Sequence, residues 1–179
     1  DAVITDPPYS ERVENGFRSG STMKDLANVP GMGYEPIDEA YCRSFAASWV
    51  PRNRAWFVVF GDHITWRWWE SALQDAGLYV FPPVVWVKTG AAPRMSCDGP
   101  GSHCEYILVA RPKRKSFLSW GSLRGWYKDG TVRHGHDHHG VSGAKPLTLM
   151  RALVADYSRP GDLVADPHSG SGTTLLAAA

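Results

Sequence analysis

The tetrapeptide Asp6-Pro7-Pro8-Tyr9, directly after the apolar run Ala2-Val3-Ile4-Thr5, limits the possible folds more than any other stretch of the sequence. The apolar run reads as a buried parallel strand, because a strand covered on both faces need not alternate polar and apolar side chains. Two prolines then stop it, since neither donates to a sheet ladder and each pushes the residue before it out of helical conformation. The chain is therefore expected to leave the sheet at Asp6, with a carboxylate at the carboxyl end of a strand and an aromatic ring on a stiff turn. In open α/β sheets that is where ligands bind. Asp-Pro pairs also begin ordinary turns, and an Asp at a strand end also serves as a cap.

A second stretch, Asp162-Leu163-Val164-Ala165-Asp166-Pro167-His168-Ser169-Gly170-Ser171-Gly172-Thr173-Thr174, reads as strand, glycine turn and helix start. Leu163 to Ala165 is the strand, Gly170 and Gly172 permit a tight turn, and Thr173 or Thr174 can cap a helix entering Leu175-Leu176-Ala177. A glycine turn after a strand is shared by dinucleotide, phosphate and adenosine binders. A nucleoside triphosphatase loop is excluded, because no Gly-Lys-Ser/Thr follows the turn. Asp166 at the strand tip would repel phosphate and suits a cationic or neutral ligand.

Together the two motifs resemble those of the S-adenosylmethionine-dependent amino-group DNA methyltransferases. Their order, Asp-Pro-Pro-Tyr first and glycine turn last, is similar to the circularly permuted beta class of that family. Lys145-Pro146 with Leu147, Leu149, Met150, Leu153 and Val154, then Ser158-Arg159-Pro160-Gly161-Asp162, resembles the family's segment leading into the glycine turn. One departure is His168, where the family usually has Phe. The resemblance implies a Rossmann-like three-layer α/β/α sandwich in permuted methyltransferase order. It further implies cofactor contacts from Asp6, Lys145, Pro146, Asp166, Pro167, His168, Gly170, Ser171, Gly172, Thr173 and Thr174, and catalytic roles for Asp6, Pro7, Pro8 and Tyr9. The family's sheet continues beyond the glycine motif to a strand whose acidic end holds the cofactor ribose. The sequence is accordingly expected to be a fragment, its sheet incomplete at the C-terminal end.

Between the motifs, residues 10–34 lack periodicity and read as a loop, which in the family lies near the target base. Asp38 to Val50 has helical spacing ended by Pro51, and Ala55 to Phe60 is a buried strand tipped by Asp62, either a cap or a second crevice carboxylate. Thr65 to Ala76 is a helix whose Trp66, Trp68 and Trp69 are either core or base-stacking. Leu78 to Lys88 is a strand interrupted by Pro82-Pro83, residues 89–102 are a loop, and His103 to Ala110 is a further strand. His103-Cys104-Glu105 resembles the family's approach to that strand and is read as structural.

Charge divides the chain. Residues 1–87 hold seven Lys or Arg against eleven Asp or Glu, whereas residues 88–151 hold eleven against four. Arg111, Lys113, Arg114, Lys115, Arg124, Lys128 and Arg133, interleaved with Phe117, Trp120, Trp126 and Tyr127, suit a phosphate backbone with flanking bases, or else a solvated surface insert. Residues 1–110 are thus expected to be catalytic, 111–144 a target-recognition insert, and 145–179 the cofactor region of the same domain. His134-Gly135-His136-Asp137-His138-His139 lacks a recognised zinc spacing and obvious partners, although Cys97, His103 and Cys104 could come near it. DNA contacts and plain loop residues are the other readings of that run. Three cysteines, Cys42, Cys97 and Cys104, make no even disulfide framework, and neither a membrane-spanning apolar run nor a signal peptide is present, so a cytoplasmic location is expected.

The function implied is transfer of a methyl group from S-adenosylmethionine to the 6-amino group of adenine in double-stranded DNA, with a cognate restriction endonuclease as a further candidate partner. An aromatic amine is a weak nucleophile because its lone pair is delocalised. Asp6 and the Pro7 carbonyl would accept its two N–H bonds and aim the lone pair, while Tyr9 stacks on the flipped base. This chemistry asks for no metal, since the methylated amine is acidic until it loses a proton. Alternatives are the 4-amino group of cytosine, where the family more often has Ser in place of Asp6, RNA or protein glutamine, where Asn is more frequent, and a DNA-binding remnant without catalysis.

Overall fold

A computed structural model describes residues 1–11, 13, 35–91, 93, 97–113, 116–130 and 144–179. Strand β1 is Ala2–Thr5, with all four residues buried. It is followed by helix α1 (Glu39–Trp49), β2 (Phe57–Gly61), α2 (Thr65–Asp75), β3 (Leu78–Val80), β4 (Val84–Thr89), β5 (Cys104–Pro112), β6 (Trp126–Gly130), α3 (Leu147–Tyr157), β7 (Val164–Ala165) and α4 (Thr173–Ala178). The sheet runs β6-β4-β5-β2-β1-β7, with β3 also paired to β5. β1 lies parallel to both β2 and β7, β4 lies parallel to β6, and β5 runs antiparallel to its neighbours β2, β3 and β4.

Alternation along the strands divides the core in two. Val3, Phe57, Val59 and Leu108 face α1 and α2, where they meet Cys42, Phe45, Ala46, Trp69 and Leu73. Ala2, Ile4, Val58, Phe60, Ile107 and Val109 face α3, where they meet Leu149, Met150, Leu153 and Tyr157. Both faces being covered, the central strands need no polar residues, and the result is the expected three-layer sandwich. Trp69 is fully buried, and Trp66 and Trp68 pack partly buried against the same cluster, so the Trp-rich helix serves the core.

The Pro82-Pro83 interruption has the expected effect. β3 pairs with residues 110–112 of β5 and β4 with residues 104–107, so one partner strand carries both halves of a line that proline divides.

Residues 126–130, expected within a loop-rich insert, instead form edge strand β6 beside β4. Only Tyr127 of its five residues is buried, so the segment lacks the run of apolar positions that marks a strand in sequence. The insert's other rings also join the fold: Phe117 and Trp120 stand edge-on to Trp56 at 4.8 and 5.6 Å. Trp126 alone of the four is largely exposed, at 59%.

Candidate active site

The chain leaves β1 toward α1 on one face and leaves the adjacent parallel strand β7 toward α4, which packs beside α3 on the other. Diverging connections between neighbouring parallel strands open a crevice at their carboxyl ends. Asp6 and Asp166 are the first residues beyond those two ends. One hydrogen bond joins the motifs: the Thr5 hydroxyl donates to Asp166 Oδ1 at 2.8 Å.

Asp6 stands in a cluster of charges. Lys145 Nζ donates to Asp6 Oδ2 at 2.5 Å and to the Tyr9 hydroxyl at 3.1 Å, and it lies 3.4 Å from Glu105 Oε2. Lys88 Nζ meets Glu105 Oε1 at 2.5 Å, and the Tyr9 hydroxyl donates to Glu105 Oε2. Burial pushes the Asp6 carboxyl above the usual carboxylate range; Lys145 opposes that rise, while Glu105 and Asp166 add to it. Burial works in the same direction on Glu105, but two ammonium groups and the Tyr9 hydroxyl hold it below the usual range. Lys145, despite burial, is raised by the two carboxylates and stays charged. Asp6 Oδ1 is shielded and has no hydrogen-bond partner among the described residues.

The turn after Asp6 is fastened by Asp62, which resolves its two sequence readings in favour of a cap. Asp62 Oδ1 accepts from the amides of Ile64 and Thr65, both at 2.7 Å, at the start of α2. Asp62 Oδ2 accepts from the amide and hydroxyl of Ser10 at 2.8 and 2.7 Å. Burial would raise this carboxyl, yet these four bonds bring it below its usual range.

The glycine turn has left-handed backbone at Gly170 (φ 46°) and Gly172 (φ 75°). A Cβ on Gly172 would meet nothing within 4 Å, so the space above the turn can admit a ligand. Gly172, not a threonine, is the N-cap of α4, because the chain needs positive φ there and Thr pays for that conformation. Thr173 and Thr174 are buried, and Ser171 Oγ lies 2.8 Å from Thr173 Oγ1.

His168 points away from the space above the turn. Its ring stacks on Phe45 at 4.9 Å, Nδ1 lies 3.0 Å from Thr5 Oγ1, and Nε2 lies 2.5 Å from the Tyr41 hydroxyl. Thr5 gives its proton to Asp166, so Nδ1 carries the imidazole proton and Nε2 accepts from Tyr41. Burial lowers the His168 pKa, and Asp166 offsets this only in part. A neutral His thus does the packing of a Phe while adding two polar ties.

Two placements differ from expectation. Lys145 directs its three N–H donors to Asp6, Tyr9 and Glu105, so it faces the carboxylate at the end of β1, and Pro146 is the N-cap of α3. Of the basic residues, Arg111 and Lys113 stand at the opposite edge of the sheet, since β5 runs antiparallel and Ala110 is level with Phe57. Arg111 lies over the rings of Tyr79, Phe81 and Phe117, and Arg124 is paired with Asp156 of α3 at 2.8 Å. Lys128, exposed and level with Val87, lies at the same edge as Asp6. Arg114, Lys115, Arg133 and the run 134–139 lie outside the described residues, as does most of 10–34. Among the described residues no three His, Cys, Asp or Glu side chains converge as a metal site, and no helix is long and apolar enough to cross a membrane.

Lys88 and Glu105 were missed as site residues because their partners are remote in sequence. The one local signal was a charged side chain at the end of an otherwise apolar strand.

The fold and the crevice define a methyltransferase-like α/β domain. The chain matches the DNA methylase family (N6_N4_Mtase) over residues 1–179 and belongs to it. It is 33% identical over 122 residues to the type II methyltransferase M.XycI of Xanthomonas campestris pv. cyanopsidis, a match covering 63% of this chain and 40% of that protein. Against the type II methyltransferase M.Cfr9I of Citrobacter freundii it is 31% identical over 119 residues, covering 62% and 39%. The chain thus matches about two fifths of the length of these relatives. Its fold is similar to that of M1.HpyAVI in complex with SAM, with a TM-score of 0.64 at 24% identity, covering 99% of this chain and 76% of the other.

Proposed function

We propose that this domain transfers a methyl group from S-adenosylmethionine to the 6-amino group of adenine in double-stranded DNA. The observation that carries the reading is the Asp6 carboxylate, held at the crevice between β1 and β7 with one oxygen bound by Lys145 and the other without a partner among the described residues. A buried acceptor left unpaired costs about 1 to 3 kcal/mol, and an exocyclic amine supplies the missing donor. S-adenosylmethionine, when bound, supplies an electrophilic methyl group on a sulfonium centre.

The chain's own residues do the rest. Asp6 accepts one amine N–H and the Pro7 carbonyl accepts the other, which localises the nitrogen lone pair and directs it at the methyl carbon. The cofactor would supply the methyl group and leave demethylated, and the proton that the amine sheds would pass to solvent. Tyr9, its hydroxyl fixed by Lys145 and Glu105, presents its ring for stacking on a base turned out of the duplex. Asp166 and the backbone around Gly170 and Gly172 form the cofactor side, with Ser171, Pro167 and the buried Thr173 and Thr174 shaping the turn. DNA approaches the edge that carries Asp6, where the connections β4 to β5 and β6 to α3 leave and return and where Lys128 is exposed. A restriction endonuclease of the same sequence specificity is a candidate partner, in keeping with the type II names of the relatives, and a cytoplasmic location accords with that role.

Asp at the head of the tetrapeptide, rather than Ser, favours adenine over cytosine. Nucleoside analysis of DNA from methylation-deficient cells expressing the protein tests this. N6-methyladenine is expected; N4-methylcytosine would move the target to cytosine, and neither product would overturn the reading.

A further inference from the structure

We infer that Lys145 and Glu105 are positioning residues for methyl transfer: the Lys145 ammonium pairs with the Asp6 carboxylate, and Glu105 holds Lys145 and the Tyr9 hydroxyl in place beside it. The inference rests on the function proposed above and deepens it. Its basis is geometric. Lys145 is 9% exposed in its side chain and Glu105 12%, and the ammonium sits between Asp6 and Glu105 at 2.5 and 3.4 Å. Its third donor goes to the Tyr9 hydroxyl, and the rings of Tyr9 and Phe60 lie 5.2 and 4.9 Å from the nitrogen. An ammonium has three donors, and all are taken. A neutral Asp6 would lose this ion pair, and one of its oxygens would carry a proton in place of the lone pair that the amine needs.

Among the described residues, the groups that face Asp6 are Lys145 from the approach to α3, Glu105 from β5 with Lys88 of β4 behind it, Tyr9 from its own turn, Asp166 just beyond β7, and the Phe60 ring of β2 beneath the ammonium. Among the described residues Lys145 is the cation that acts directly on Asp6, and Glu105 and Asp166 both oppose ionisation. Removing Lys145 and removing the Glu105 charge must therefore move Asp6 in opposite directions. A merely structural role for either residue does not produce that sign reversal.

The test is the titration of Asp6 itself, followed through its side-chain carboxyl carbon in carbon-13 aspartate-labelled protein, with the resonance identified by its loss in Asp6→Asn. Lys145→Met is expected to raise the midpoint by about one to three pH units, Lys145→Arg to leave it near the wild-type value, and Glu105→Gln to lower it. S-adenosylmethionine binding, measured by calorimetry, should survive Lys145→Met. If Lys145→Met does not fold, as judged by circular dichroism, the Glu105→Gln titration decides alone. An unmoved midpoint in either folded variant, or a clear loss of cofactor affinity in Lys145→Met, overturns the inference. Methyl incorporation into amplified, unmethylated genomic DNA is measured alongside: its absence in the wild type with the midpoints moving as expected would refute the proposed function and leave the electrostatic coupling standing.

Discussion

Asp62→Ala should loosen the turn that carries Tyr9 as well as the helix that Asp62 caps. The carboxylate, 7% exposed, accepts four hydrogen bonds, two from the start of α2 and two from Ser10. Loss of a helix cap costs about 0.5 to 2 kcal/mol. A hydrogen bond to an ionised acceptor contributes about 1.5 to 3 kcal/mol, and Ser10 is too buried, at 3% exposed, for water to replace its lost partner. Relief of carboxylate burial offsets part of this, which leaves an expected loss of about 3 kcal/mol at neutral pH. The loss also has a pH signature. The folded carboxyl is held below its usual range, so its contribution is present above the unfolded value of about 3.9 and fades as pH falls through the folded one. Urea denaturation of wild type and Asp62→Ala at neutral pH and at successively lower pH should show the two curves converging on the acid side. A difference under about 1 kcal/mol at neutral pH, or one that does not narrow in acid, would refute the idea that this carboxylate fastens the turn.

His168→Phe keeps the stack on Phe45 but removes a group whose folded pKa is depressed. The wild type should lose stability as pH falls below the unfolded value of about 6.5, so the variant gains relative to it by up to about 1.4 kcal/mol per pH unit; thermal melts at a constant difference across pH would contradict this. Lys128→Ala should reduce the slope of log affinity for DNA against log salt by about one, while Lys113→Ala, at the far edge, should leave it unchanged; the reverse result would put DNA on the other edge. Tyr9→Ala should slow methyl transfer by about ten- to a hundredfold through lost stacking, and Tyr9→Phe by less, as single-turnover rates would show.

The strand and turn around Asp6 and the glycine turn after Asp166 were legible because each is a local pattern: an apolar run, then residues whose backbone limits force an exit. Their adjacency followed from the family resemblance, not from either pattern. β6 was not legible, because one buried Tyr in five residues carries no period. The aromatic residues of the supposed insert misled for a related reason, since composition does not say whether Phe117 and Trp120 face a base or Trp56. Arg111 and Arg124 likewise look like phosphate ligands until strand direction and the partner Asp156 place them. The charge cluster was hidden by distance along the chain, for Lys145 is 139 residues from Asp6.

The most direct test of the account is the pair of measurements on Asp6→Ala: S-adenosylmethionine affinity by calorimetry and methyl transfer to unmethylated DNA, both beside the wild type. Asp6 is assigned to the target amine, so the variant should bind the cofactor with affinity close to that of the wild type while transfer falls to background. Transfer sustained near the wild-type rate would contradict the central role given to Asp6.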